Sequence, residues 1–234
     1  LVASFYEKIK VLYTVHGFHF FKGAPLKNWI FYYPAEKIAS YWTDGLIVIN
    51  EEDYKIAKKM GFSPSENLYF LNGVGINLNK FKTKNKIDKN KIFNKLEINK
   101  NDIIITYIAE FTKNKNHLYL LNAWKTLQKK YDNIKLLLAG KGRNMEKIKS
   151  KVEKENIFNV FFLGFRNDIP DILKATDIVA LLSQREGLPK SIMEAMAAAK
   201  PIIVSNVRGS RDLVDHKENG FIVGLNNIEG LVNY

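Results

Sequence analysis

Cysteine is absent from this 234-residue chain, which excludes disulfides and thiolate metal sites together. A reducing, cytoplasmic setting suits such a chain. Long apolar runs are also missing. Although 46% of the residues are hydrophobic, no stretch approaches the roughly 18 residues that a membrane-spanning helix needs. The N-terminus, LVASFYEKIK, has neither the charged and apolar stretches nor the cleavage site of a signal peptide. It has no initiator methionine either, so a piece of a longer chain is expected. Arginine is scarce: only Arg143, Arg166, Arg185, Arg208 and Arg211 occur, and lysine supplies the rest of the 36 cations behind a formal charge of +12. Proteins that read base edges favour the bidentate arginine fork, so no nucleic-acid partner is expected. Scattered lysines suit solubility, an anionic membrane surface or a phosphorylated substrate.

What is present is an alternation. From Asp102 onward, short apolar runs at 103–109, 134–140, 159–164, 177–182, 201–205 and 221–223 read as strands. Amphipathic stretches at 117–131, 145–155, 168–176 and 190–199, with a short one near 210–214, read as the helices between them. Strands apolar throughout and separated by helices imply a parallel sheet covered on both faces. Before Asp102 the pattern is shorter. Strands are expected at 11–15, 45–50 and 67–77, the last running into a glycine turn, with helices within 26–42 and at 51–60. The fold class is therefore α/β, with one block at 1–81, a lysine-rich linker at 82–100 and a larger block at 101–234.

Ligands of open parallel sheets bind beyond the carboxyl ends of the strands. That edge would collect His16, Gly17 and His19 in the first block. In the second it would collect Glu110, Lys113, Lys115, Gly140, Lys141, Gly142, Phe165, Arg166 and Glu186. Such cations, glycines and acids suit a polar, phosphate-bearing ligand. In EGLPKSIMEAMAAAKP (186–201), Pro189 fits a first helical turn. The amides of Gly187, Leu188, Lys190 and Ser191 would then point out of a helix start, an anion site reinforced by the helix dipole. Glu194 lies one turn on, where a carboxylate would serve by accepting hydrogen bonds from sugar hydroxyls. The histidine pair makes a poor metal site, with no carboxylate or cysteine nearby. GKGRNM (140–145) is an incomplete dinucleotide fingerprint, and no phosphate-binding P-loop occurs.

SQREGLPKSIMEAMAAAKPIIVSNVRG resembles the E-x7-E signature of the family-4 retaining glycosyltransferases, in which two Rossmann-like domains face a cleft (the GT-B fold). YIAEFTKNKNHLYLLNAW is similar to the strand, turn and helix that open their donor domain. YTVHGFHFFKGAPLKNWIFYYPAEKIASYWTDGLIVINEEDY with NGVGINLNKF is similar to the later part of the acceptor domain in capsular and exopolysaccharide members. The resemblance implies that 1–81 is the C-terminal part of the acceptor domain and 101–234 a donor domain without its last helices. It also implies a UDP- or GDP-sugar donor, retention, no metal, and a saccharide or lipid-linked acceptor. By match, Glu194 takes the ribose hydroxyls, and Glu186 with the amides of Gly187, Leu188 and Ser191 behind Pro189 takes the donor sugar. Lys115 meets the diphosphate, Arg166 lies near the base, Gly140 and Phe165 belong to the nucleotide-sugar site, and His16 contacts the transferred sugar. Ala109-Glu110 stands where many members have Gly-Arg, which throws the diphosphate load on Lys115, with Lys113 beside it. Ala199 replaces a common glycine, read as a packing matter.

Rival readings are a nucleotide-sugar 2-epimerase of the same fold and a non-catalytic nucleotide-sugar-binding fragment. Seven aromatics among Lys22 and Lys27 at 17–33 suit a peripheral contact with the cytoplasmic face of a membrane.

Overall fold

The computed structural model describes residues 9–81, 98, 99 and 101–234. The chain divides into two compact units, Leu1–Gly75 with Glu186–Leu188, and Ile76–Arg185 with Pro189–Tyr234. Apart from Ile98 and Asn99, the linker expected at 82–100 lies outside the described residues.

In the first unit, β1 (Leu12–Val15), β2 (Gly45–Val48) and β3 (Leu68–Phe70) form a parallel sheet in that order. Val15 pairs with Val48, and Val48 with Phe70. Helix α1 (Leu26–Ser40) joins β1 to β2, and α2 (Glu51–Lys59) joins β2 to β3. The start of α2 is fixed chemically. The Asn50 side chain caps it by accepting from the Asp53 amide at 2.9 Å, and Glu51, Glu52 and Asp53 put negative charge on the positive end of the helix dipole. Its buried face, Ile56 and Ala57, joins Val15, Phe18, Phe20, Leu46, Val48 and Leu68 in one core. Helix α1 runs through Pro34 and buries none of its residues.

In the second unit six parallel strands stand in the order β6-β5-β4-β7-β8-β9. They are β4 (Ile103–Ile108), β5 (Ile134–Ala139), β6 (Val160–Gly164), β7 (Ile178–Leu181), β8 (Ile202–Ser205) and β9 (Phe221–Val223). The order grows away from β4 in both directions, which puts the topological switch point between β4 and β7. The helices are α3 (His117–Leu127), α4 (Met145–Lys154), α5 (Ile169–Ala175), α6 (Lys190–Ala197) and α7 (Ile228–Asn233). Leu136, Leu138, Leu121, Trp124, Ile192 and Val204 are wholly buried in the main core. Each such side chain contributes on the order of 1.5–3 kcal/mol relative to exposure.

Four elements depart from the sequence reading, the first being the strand expected at 67–77, which is confined to Leu68–Phe70. Residues 208–213 form turns where a short helix was expected at 210–214. Helix α3 stops at Leu127 and gives way to turns through Lys130, four residues short of the expected 131. Helix α7 was not anticipated. Asn227 caps it by accepting from Gly230 N–H at 2.9 Å, and Leu231 buries into the core. Its entry is held from outside by the Tyr119 hydroxyl, which lies 2.8 Å from the Asn227 carbonyl oxygen and 3.2 Å from that of Gly224.

Candidate functional site

Beyond the carboxyl ends of β4, β5 and β6 lies a cleft of about 490 Å³. Its lining includes Glu110, Gly140, Lys141, Phe165 and Arg166, so three residues expected in the nucleotide-sugar site do come together. Gly140 is what lets the two strand-end loops meet. At φ +153° it lies in a region that side-chain-bearing residues avoid, and an added Cβ would sit 2.0 Å from the Ala109 carbonyl oxygen. Phe165 is 63% exposed, and Lys141 Nζ lies 5.9 Å from its ring centre. An exposed aromatic face beside a cation offers a stacking platform for a planar ring. The Arg166 guanidinium is already engaged. Its Nε donates to Asp168 Oδ1 at 2.7 Å and a terminal N–H donates to Oδ2. That fork holds the Asp168 carboxyl below its usual range and raises Arg166 further. Asp168 was not singled out from the sequence, although its spacing from Arg166 was there to be read.

The loop after β4 is pinned from several sides. Phe111 donates its N–H to the Lys141 carbonyl at 2.9 Å and accepts from Asn144 N–H at 2.9 Å. Asn114 accepts from Gln184 N–H at 2.8 Å through its own carbonyl, while its side-chain amide donates to the Arg185 carbonyl at 2.9 Å. Buried Tyr107 ties the same two loops from below. Its hydroxyl donates to the Lys115 carbonyl at 2.5 Å and accepts from Leu182 N–H at 2.9 Å. Neither Tyr107 nor Asn114 was recognised from the sequence as a site residue, yet both fix the backbone that carries Lys115. Asn116 takes the left-handed conformation at φ +49° to start α3, a state asparagine tolerates better than most residues. His117 stacks on Phe111, with ring centres 4.2 Å apart and planes 14° off parallel. Burial, with the Lys115 charge second, pushes its imidazole down to about 4.

At α6, Pro189 occupies the N-cap position and is buried. Among the described residues the amides of Gly187, Leu188, Lys190 and Ser191 meet no acceptor. Glu194 is half-buried, with an Oε1 3.5 Å from Lys190 Nζ, and Lys190 is mostly exposed. That pair spans one helical turn and holds weakly. Glu186 is only 9% exposed. Glu186, Gly187 and Leu188 count with the first unit, and Pro189, Ser191 and Glu194 with the second. His16 directly follows β1 in the first unit. The position of Ala199, read as a packing matter, proves to be a backbone one: it is exposed and stands at φ +52°.

A parallel sheet with a glycine-bounded cleft at its carboxyl edge defines an α/β protein of the Rossmann-like class. The family model of group 1 glycosyl transferases matches residues 88–234, and the chain belongs to that family. It is 39% identical over 92% of its length to EpsD of Bacillus subtilis (strain 168), a glycosyltransferase by name, and covers 57% of that protein. It is 34% identical over 95% of its length to the UDP-Gal:alpha-D-GlcNAc-diphosphoundecaprenol alpha-1,3-galactosyltransferase of Escherichia coli, and covers 58% of it. The chain thus spans a little over half the length of these relatives. The crystal structure of Anabaena Alr3699/HepE in complex with UDP and glucose superposes with a TM-score of 0.83 over 99% of this chain and 62% of that one, at 22% identity. The α/β fold, with its parallel sheets, matches that of GT-B glycosyltransferases.

Proposed function

We propose that this chain carries the donor site of a retaining, metal-independent glycosyltransferase. It transfers a hexose or N-acetylhexosamine from a UDP- or GDP-sugar to a saccharide or lipid-linked acceptor in surface polysaccharide synthesis. The observation that carries the reading is the cleft of Gly140, Phe165 and Arg166 at the carboxyl edge of the donor-side sheet. The base stacks on Phe165, and Glu194 on α6 accepts from the ribose hydroxyls. The free amides at Lys190 and Ser191, with Lys115, meet the diphosphate. In the transfer step the bond from the anomeric carbon to the diphosphate oxygen breaks while the acceptor oxygen bonds to the same face of that carbon. The acceptor's proton leaves with the nucleoside diphosphate. Amides and a lysine preorganised around the departing charge do the electrostatic work that a metal does elsewhere. The relatives' names support transfer over epimerisation: one acts on UDP-Gal and a lipid diphosphate. The related structure crystallised with UDP favours a uridine donor.

The place of work is the cytoplasmic face of a membrane, as a peripheral protein. Support comes from the lipid-linked acceptor in that relative's name and from α1, whose Leu26, Ile30 and Phe31 are exposed beside Lys27. No helix among the described residues is long and apolar enough to cross a membrane. Co-sedimentation with vesicles of phosphatidylglycerol is the check, and binding indifferent to anionic lipid would reject the placement.

The decisive experiment uses the full-length enzyme with a chelator present. Glu194→Gln and Lys115→Ala are each expected to lose transferase turnover by roughly a hundredfold or more, as when an oxyanion donor is removed. His16→Ala and Glu186→Gln test the roles that the resemblance gives those residues. Turnover unchanged in both Glu194→Gln and Lys115→Ala rejects the assignment, and abolition by chelator alone rejects the metal-free chemistry.

A further inference from the structure

A second cleft, of about 430 Å³, opens between the starts of α3 and α4. It shares no lining residue with the cleft of Gly140, Phe165 and Arg166. Three cations line it, Lys113, Arg143 and Lys147, and no carboxylate does. Among the described residues none of the three has an ion-pair partner. Exposed lysines alone would read as a solvated face, and the floor of the cleft argues otherwise. His117 lines it while only 3% exposed. Its Nε2 and the Asn116 side-chain amide nitrogen are buried without a hydrogen-bond partner. Buried polar atoms are rarely left so, because each unmade hydrogen bond costs about 1–3 kcal/mol.

Backbone adds to the same pattern. Helix α3 has 11 residues and α4 has 10. Among the described residues the first-turn amides of His117 and Leu118 on α3, and of Glu146 and Lys147 on α4, find no acceptor. Two helix starts therefore turn the positive ends of their dipoles toward one space ringed by unpaired cations. We infer that this cleft binds a phosphate-class oxyanion, either a free ion or the phosphate group of a larger molecule. The Arg143 guanidinium and the Lys147 ammonium grip the anion from the rim. The Asn116 amide donates from the floor, and His117 donates through Nε2 in the matching tautomer. The occupant would rest on the loop that carries Lys115, but its binding does not depend on the proposed donor chemistry.

The test follows the His117 ring resonances by NMR in the intact chain, assigned with His117→Gln, during titration with inorganic phosphate and separately with glucose 1-phosphate. The two probes distinguish a bare ion from the phosphate of a larger molecule. A saturable shift with either one is expected. Arg143→Ala combined with Lys147→Ala, both at exposed positions, should weaken it roughly tenfold or more while leaving circular dichroism unchanged. Three results would overturn the inference. Neither probe moves the His117 resonances, or the double variant responds as the parent does, or UDP competes the phosphate away and the site belongs to the donor's own diphosphate.

Discussion

At the residue scale the site depends on polar atoms inside the sheet. Tyr107 sits near the carboxyl end of β4, fully buried, and in an apolar run it reads as one more strand residue. Its hydroxyl nevertheless serves both Lys115 O and Leu182 N. Tyr107→Phe keeps the ring and orphans both groups, so a loss of about 1–3 kcal/mol is expected in urea denaturation. The Lys115 loop should loosen with it. His117 makes a pH-dependent contribution. With its folded value near 4, against 6.5 normally, the unfolded chain binds more protons than the folded one between those limits. The stability it contributes is complete above about pH 6.5 and falls as pH drops toward 4, by roughly 3 kcal/mol in all. His117→Gln should show that much less acid sensitivity in phosphate-free urea melts, and an identical slope in both proteins would reject the assignment. Gly140, Phe165 and Arg166 were legible because a strand's end can be read from where its apolar run stops. Tyr107 and Asn114 were not, because each bonds across to the loop that follows β7, which only folding brings near; Asp168 was missed although it stands two residues from its partner Arg166.

At the element scale, the alternation of apolar strands with amphipathic helices was enough to place every strand of the larger sheet. What it missed were the ends. The entry of the short α7 is held by a tertiary partner, Tyr119, and a six-residue helix is too short to show a period. The C-terminus of α6 shows the converse case, a local rule broken. Lys200 N–H donates to the Ala195 carbonyl and Ala199 N–H to that of Met196, the hydrogen-bond pair of a Schellman cap with Ala199 at the left-handed position. Alanine there pays steric strain that glycine avoids, less the greater unfolded-state entropy of glycine. Ala199→Gly is therefore expected to stabilise by roughly 0.5–1 kcal/mol, read as a rise of about 1–4 °C in melting temperature. A fall would show that entropy outweighs strain at this cap.

At the scale of the whole molecule, each unit has its own core. Phe18, Phe20, Leu46 and Val48 anchor one, and Trp124, Leu136, Leu138 and Ile192 anchor the other. The sequence division at 82–100 reflected composition, and the lysine excess behind the charge of +12 says little about where either core lies. Separate cores bear on how the chain melts, because two-state behaviour is a property of single domains. The smaller unit holds the less extensive core, and its α1 adds to it only the partly buried Trp29 and Tyr33, so it should unfold first and give a van't Hoff enthalpy below the calorimetric one. A ligand that binds only the folded form of one unit stabilises that unit by mass action. UDP at about a hundred times its dissociation constant adds about 2.7 kcal/mol. For a unit of this size the transition rises by about 5–11 °C. Scanning calorimetry with UDP should therefore move the upper transition, that of the unit holding Gly140, Phe165 and Arg166, and leave the lower one in place. Gly140→Ala, which drives a methyl into the Ala109 carbonyl, should abolish the shift. A UDP shift confined to the lower transition would place the nucleotide in the unit of β1, β2 and β3 and overturn the proposed donor site.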